Sequence, residues 1–227
     1  MLESVVPSPV HRLIPSRFPP VLLFDWAQTQ DELEQIAALE GLTNERILAD
    51  LGDIYVVGKN DWVGGEGSTP LMAAFTHPGN SRFSDGTYGV YYAACALDTA
   101  IAETTFHRER FLSASKEAAC LIQMREYVAT VQQKCVDLHH EQYLRYLQPS
   151  VDQYPTSQTF GRDMREQKKW GLYYPSVRKK GGKCVAIFRP NALTIPTQGS
   201  HLDYIWDGEK ISEVRVSKKL VLTDSDD

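Results

Sequence analysis

The chain has 227 residues, of which 42% are hydrophobic and 23% charged, and its net charge is −5. This suits one globular domain with a sizeable core and at most an appendage. The acid excess provides no overall field to draw phosphate polymers, so direct nucleic-acid binding is not expected, although a small basic pocket for a phosphorylated ligand is compatible with it.

No run approaches the ~18 consecutive apolar residues of a membrane span. The start Met1-Leu2-Glu3 lacks the basic-then-apolar pattern of a secretory signal. A soluble cytoplasmic protein is the expectation. Cys95, Cys120, Cys135 and Cys184 lie far apart without a CxxC pair, which fits reduced thiols.

In chain order, the first twenty residues hold Pro7, Pro9, Pro15, Pro19 and Pro20, so they are extended rather than helical. Val21–Trp26 reads as a short strand. Residues 29–41 read as a helix: Thr29 and Glu32 have capping-box spacing, Leu33, Ile36, Ala37 and Leu39 supply an apolar face, and Gly41 is a stop. A second short helix fits 44–51. Residues 1–50 are thus expected to form an N-terminal helical appendage to a domain spanning 51–227. From residue 54 the texture turns toward strands. Strands are expected around Ile54–Val57, at Leu71–Thr76 and at Thr87–Ala93, the last after an Asp85-Gly86 turn.

Leu97–Leu112 reads as a helix. Cys120–Met124 and Tyr127–Val136 read as strands, 139–147 and 157–170 as helices, the second stopped by Gly171. Leu172–Tyr174 and Lys183–Phe188 are strands, and His201–Trp206 pairs with Ile211–Val216 across Asp207-Gly208. The order is mixed and repeats no β-α unit, so the expected class is α+β with mainly antiparallel strands.

Generic motifs mostly fail. Gly64-Gly65-Glu66-Gly67-Ser68 lacks the lysine and the strand-to-helix context of a phosphate loop. No GxSxG elbow is present. The histidines show no HExxH spacing, and His139-His140 would diverge on a helix, so no metal site is expected. There remain Arg82-Phe83-Ser84-Asp85-Gly86, running into Tyr91-Tyr92-Ala93-Ala94, then Glu103 among small and apolar neighbours, and Tyr174-Pro175-Ser176-Val177-Arg178. Alternation puts Tyr88, Val90 and Tyr92 on one face and Gly89, Tyr91 and Ala93 on the other. Taken singly, the arginine reads as a surface residue, the tyrosines as packing and the glutamate as a solvated helix residue.

Taken together, these stretches resemble the RES-domain family, named for an Arg, a Glu and a Ser. The match includes Asp98-Thr99-Ala100-Ile101-Ala102-Glu103-Thr104 and Val185-Ala186-Ile187-Phe188-Arg189-Pro190, and it covers roughly 50–220. The resemblance implies an ADP-ribosyltransferase-like fold with a split sheet. It implies a toxin paired with a helix-turn-helix-type antitoxin that covers the active site. It also implies NAD+ as co-substrate, cleaved at the nicotinamide–ribose bond with ADP-ribose passed to a protein acceptor, to water or to phosphate. The implied site is Arg82, Tyr92, Glu103 and Ser176. Chemistry agrees: a carboxylate stabilises the cation that develops on the ribose. An arginine fork suits the pyrophosphate. An aromatic face suits the cationic nicotinamide, with Tyr92 first and Tyr91 second. Ser176 bonds the amide or a ribose hydroxyl. Two other readings are a non-catalytic binding module and a hydrolase built from Ser176 with His201 or His107.

Overall fold

The computed structural model describes residues 1–16, 23–41 and 51–217. In chain order the strands are β1 (Glu3–Ser4), β2 (Val10–Pro15), β3 (Asn80–Ser81), β4 (Ser84–Asp85), β5 (Tyr91–Ala94), β6 (Cys120–Ala129), β7 (Cys135–Asp137), β8 (Gly171–Pro175), β9 (Lys183–Ile187), β10 (Thr197–Trp206) and β11 (Ile211–Ser217). The helices are α1 (Gln30–Gly41), α2 (Thr69–Thr76), α3 (Leu97–Ser115) and α4 (Tyr154–Glu166), with short 3-10 turns between them.

Nine strands share one sheet in the order β1-β7-β8-β9-β5-β2-β6-β10-β11, and β3 and β4 form a separate hairpin. Every pairing in the sheet is antiparallel except β7 with β8. The sheet is continuous, but its two halves meet narrowly. β2 pairs with β6 over six positions, Val10 to Pro15, yet with β5 only where His11 faces Ala94.

Alternation along the strands sends side chains into two apolar layers, and both faces of the sheet are covered. Tyr91, Ala93, Tyr173, Val185 and Ile187 pack with Leu33 and Ala37 of α1 and with Leu71, Met72 and Phe75 of α2. Leu172, Tyr174, Cys184, Ala186, Met124 and Leu202 pack with Ala100 of α3 and with Phe160 and Met164 of α4.

Several expectations are corrected. The start of the chain is extended but is not an appendage, because β1 pairs with β7 and β2 lies between β5 and β6. Leu23–Trp26 and Ile54–Val56 are 3-10 turns rather than strands. Leu71–Thr76 is helical as part of α2. Its start holds Pro70, and the Asp25 carboxylate accepts the N–H groups of Gly67 (2.7 Å) and Thr69 (2.9 Å) and the Thr69 hydroxyl (2.6 Å). A cap supplied from 44 residues upstream overrides the β-like look of the segment. The expected 87–93 strand shortens to β5, since Ser84 Oγ donates to the Tyr88 carbonyl and holds that stretch in a bend. Cys120–Ala129 is one unbroken strand, and β7 begins only at Cys135. The 139–147 helix is a 3-10 turn over Glu141–Tyr146. The 157–170 helix is α4, which begins and ends earlier than expected, and Gly171 opens β8 rather than stopping a helix.

In α1, Thr29 Oγ1 accepts the Glu32 N–H at 3.2 Å, while the Glu32 carboxylate accepts the Gln28 N–H at 2.8 Å. The side chain of Leu39 and the expected helix at 44–50 lie outside the described residues. The terminal strands pair as a hairpin as expected, with Leu202 opposite Val216, Tyr204 opposite Val214, and a register shift between Ile205 and Trp206.

The placement of β2 has a direct consequence for stability. Removing residues 1–16 should abolish cooperative folding, read as loss of near-ultraviolet circular dichroism and of a sharp urea transition. In the full-length chain, Leu13→Ala should cost roughly 2–5 kcal/mol. A truncated chain that unfolds at the wild-type midpoint would show this strand to be dispensable.

Candidate functional site

Beyond the single His11–Ala94 partnership, β2 and β5 both line a cavity of about 420 Å³, roofed by α3. Its wall includes Arg12, Arg82, Tyr92, Glu103, His107 and Tyr174. This volume falls within the usual range for small-molecule sites. Among the described residues, Glu103 is the one carboxylate on the wall, against four arginines, Arg12, Arg82, Arg108 and Arg110. An acidic chain thus builds a locally cationic cleft.

Arg82 sits at the tip of the β3–β4 hairpin and is only 7% exposed. Its Nη1 donates to the Gln148 carbonyl at 2.7 Å, and its guanidinium lies 4.8 Å over the Tyr154 ring. The hairpin is held from two sides. The Tyr92 hydroxyl accepts the Phe83 N–H at 3.0 Å and bonds Ser81 Oγ at 2.9 Å. On the other side, the Gln158 amide donates to Asn80 Oδ1 (2.6 Å) and to the Ser81 carbonyl (2.9 Å). Tyr92 therefore contributes a wall of the cavity and fixes the loop that presents Arg82. Burial pushes its phenol up to about 12, so the hydroxyl stays neutral at physiological pH.

Glu103 lies in α3, above the sheet. Its Oε1 accepts the Ser176 hydroxyl at 2.6 Å and the Cys184 thiol at 3.8 Å. Ser176 follows β8, where its Oγ also accepts the N–H groups of Arg178 (3.1 Å) and Lys179 (3.0 Å). Ser176 does not line the cavity; it holds the carboxylate that does. The Cys184 thiol is raised well above its ordinary value, first by burial and then by Glu103, so it is a neutral donor. His107 is pushed down by burial, against the pull of Glu103, and is neutral at pH 7.

Arg82, Tyr92 and Glu103 thus share one cavity, and Ser176 supports it from behind. Tyr91 does not join them. It is fully buried on the opposite face, 6.5 Å from the Phe75 ring, because neighbouring residues of a strand face opposite ways. Nor is a serine–histidine pair assembled: the Ser176 hydroxyl is committed to Glu103, and His201 is engaged with Gln198 at 3.0 Å. Arg178 lies over Phe106 and donates to the Pro149 carbonyl.

Arg12 was missed in the sequence, where β2 read as an appendage. Its Nη1 donates to the Tyr92 carbonyl at 3.1 Å and its guanidinium lies 4.8 Å over the Tyr91 ring, while its buried Nε has no partner. Burial pushes Arg12 below its ordinary value, partly offset by Tyr91 and Tyr92. A buried guanidinium with no carboxylate paired to it among the described residues and a face on a cavity is a ready anion ligand. The proline-rich first twenty residues held only a faint local hint, Arg12 set beside the apolar Leu13 and Ile14, with a second arginine, Arg17, close behind.

A mainly antiparallel sheet with a cleft between two of its strands, lined among the described residues by four arginines and one carboxylate, defines a mixed α and β domain. The chain belongs to the RES domain family, whose model matches residues 55–207, more than half of the chain. It is similar to the uncharacterized protein y4oC of Sinorhizobium fredii, 25% identical over 225 residues, covering 93% of this chain and 89% of that one. It is also similar to a chain in the crystal structure of the M. tuberculosis MbcT–MbcA toxin–antitoxin complex. The TM-score there is 0.43 at 11% identity, over 88% of this chain and 86% of that chain. No described helix is long and apolar enough to cross a membrane. No group of three or more His, Cys, Asp or Glu residues among the described residues is placed to hold a metal ion.

Thiol reactivity reports on the site. Burial pushes Cys95 to about 11 and Cys135 to about 12, and raises Cys184 as well, whereas Cys120 is exposed. The thiolate is the reactive form, so at pH 8 the three raised thiols stay protonated. An aromatic disulfide reagent should modify Cys120 rapidly and the other three only on unfolding. Fast modification of Cys184, located by peptide mapping, would contradict the packing around Glu103.

Proposed function

We propose that this protein is the toxin of a toxin–antitoxin pair, acting in the cytoplasm as an NAD+-cleaving enzyme. It breaks the nicotinamide–ribose bond and passes ADP-ribose to a protein acceptor. The observation that carries this reading is Glu103, the one carboxylate among the described residues of a cavity wall that also carries four arginines. Membership of the RES domain family supports it, as does the gathering of Arg82, Tyr92 and Glu103 from separate segments.

The division of labour follows from charge. NAD+ brings two negative phosphates and a cationic nicotinamide ring. Arg82 and Arg12 hold the diphosphate, the first already oriented by Gln148 and Tyr154. The Tyr92 ring faces the nicotinamide end. As the bond to nicotinamide lengthens, positive charge grows on the ribose, and Glu103 stabilises it. Neutral donors, Ser176 and Cys184, hold Glu103 at one oxygen, so its charge is oriented without being cancelled by a cation. A small helix-turn-helix-type antitoxin is the proposed partner, seated over the mouth of the cleft.

Radiolabelled NAD+ incubated with purified protein and lysate tests the reaction and its acceptor together. Nicotinamide release and a labelled protein band are expected. Release of free ADP-ribose or its phosphate without a band would instead mean glycohydrolysis or phosphorolysis. Glu103→Gln should lower turnover at least about a hundredfold, with little change in thermal stability. Arg12→Ala should raise the KM for NAD+ by about tenfold or more, the order expected for a lost charge-assisted contact. NAD+ left intact by the wild-type chain would reduce the protein to a binding module.

A further inference from the structure

A second carboxylate lies near the cleft and is not used above. Glu126 stands in the middle of β6, only 4% exposed, and its Oε1 is 2.6 Å from His11 Nδ1. Its Oε2 accepts the Ser200 N–H at 2.7 Å. The neighbouring strand is shaped around it. The pairing of β10 with β6 shifts register between Gln198 and His201, and a Cβ on Gly199 would come within 2.4 Å of Glu126 Oε2. Burial works against the charged form of Glu126, but the bonds from Ser200 and His11 outweigh it and hold the carboxyl below its ordinary value.

His11 lines the cavity that holds Glu103. A carboxylate at Nδ1 fixes the tautomer with the proton on Nδ1, which makes Nε2 the acceptor nitrogen. Among the described residues no hydrogen bond engages Nε2. A histidine oriented by a buried carboxylate, with its second nitrogen unbonded in a ligand cavity, has the construction of a general base.

We propose that His11 takes the proton from the nucleophile that accepts ADP-ribose, with Glu126 as its positioning residue. This rests on the NAD+-cleaving reading above. The nucleophile is therefore a protic oxygen, of water or a side-chain hydroxyl, rather than an oxyanion. Its oxygen forms the new bond to the anomeric carbon of the ribose. The bond to nicotinamide breaks, and its electron pair stays on the ring nitrogen, which leaves neutral. The proton of the nucleophile passes to His11 Nε2, and Glu126 stabilises the resulting imidazolium until solvent takes the proton. Glu103 serves the sugar and His11 serves the acceptor.

The test is steady-state NAD+ cleavage by wild type, His11→Asn and Glu126→Gln, with and without sodium azide. Asparagine keeps a donor toward Glu126 but removes the base, and azide is an anionic nucleophile that needs no deprotonation. His11→Asn should lower kcat at least about a hundredfold. Its KM for NAD+ should stay within about twofold of wild type and its melting temperature near wild type, while azide restores most of the rate as ADP-ribosyl azide. Glu126→Gln should show a smaller loss of the same kind. If wild type turns over and His11→Asn matches it, or if azide restores nothing, the role of His11 is overturned while the NAD+ reading stands. If His11→Asn loses stability and KM together, the dyad is a sheet fastener and the proposal fails. NAD+ left intact by wild type overturns both readings.

Discussion

The structure depends on a single contact between strands, where His11 of β2 faces Ala94 of β5. Nine strands in one sheet bury both faces, and a sheet so covered has no natural place for a ligand. Here the two halves stay joined at one position and then diverge, so the opening lies inside the sheet itself. The backbone groups freed by the divergence are partly met by side chains, since Arg12 donates to the Tyr92 carbonyl across the gap. The opening thus carries its own cations. A cavity made this way is framed by strands on two sides and closed by α3, and the loop that presents Arg82 is pinned to them by Tyr92.

That rigidity matters because the cleft has to hold charge. A guanidinium taken out of water costs several kcal/mol unless something compensates it. Arg82 is compensated by a carbonyl and an aromatic face, and Arg12 by a carbonyl and the Tyr91 ring, and neither meets a carboxylate. These partners are weak compared with an ion pair. They orient the two side chains and leave most of the cationic field available to a ligand. The same logic in reverse applies to Glu103, which is held by a hydroxyl and a thiol. By contrast, the Asp98–Lys179 pair at 2.5 Å beside the same helix is a direct ion pair, and it faces solvent. Arg12, Arg82 and Glu103 are thus held by neutral groups, whereas Asp98 and Lys179 are paired with each other.

The legible part of the sequence was the part whose signals are local. The α1 capping pair, the long α3 helix, the Asp207-Gly208 hairpin and the alternation through β8 and β9 all follow from neighbours within a few residues. The site triad was legible only as a pattern, because Arg82, Tyr92 and Glu103 look ordinary one at a time. What failed were features set by distant residues. The α2 helix is capped by Asp25, and β2 becomes a strand only because β6 lies beside it. Tyr91 shows a different failure. Strict alternation already separated it from Tyr92, and that geometric rule outweighs the chemical appeal of a second aromatic ring.

The family match begins at residue 55, yet one wall of the cavity comes from residues 11–15. The matched stretch therefore contains Glu103 and its support but not the strand that completes the cleft. Without β2, both β5 and β6 would each lose a hydrogen-bonded neighbour in the middle of the sheet, and the layer holding Leu13, Met124 and Leu202 would be opened to solvent. The segment between β2 and α2 is long, and part of it, α1, packs on the face opposite the site through Leu33 and Ala37. Residues 1–16 and the matched domain therefore share one sheet, in which β2 supplies Arg12 and His11 to the wall of the cavity.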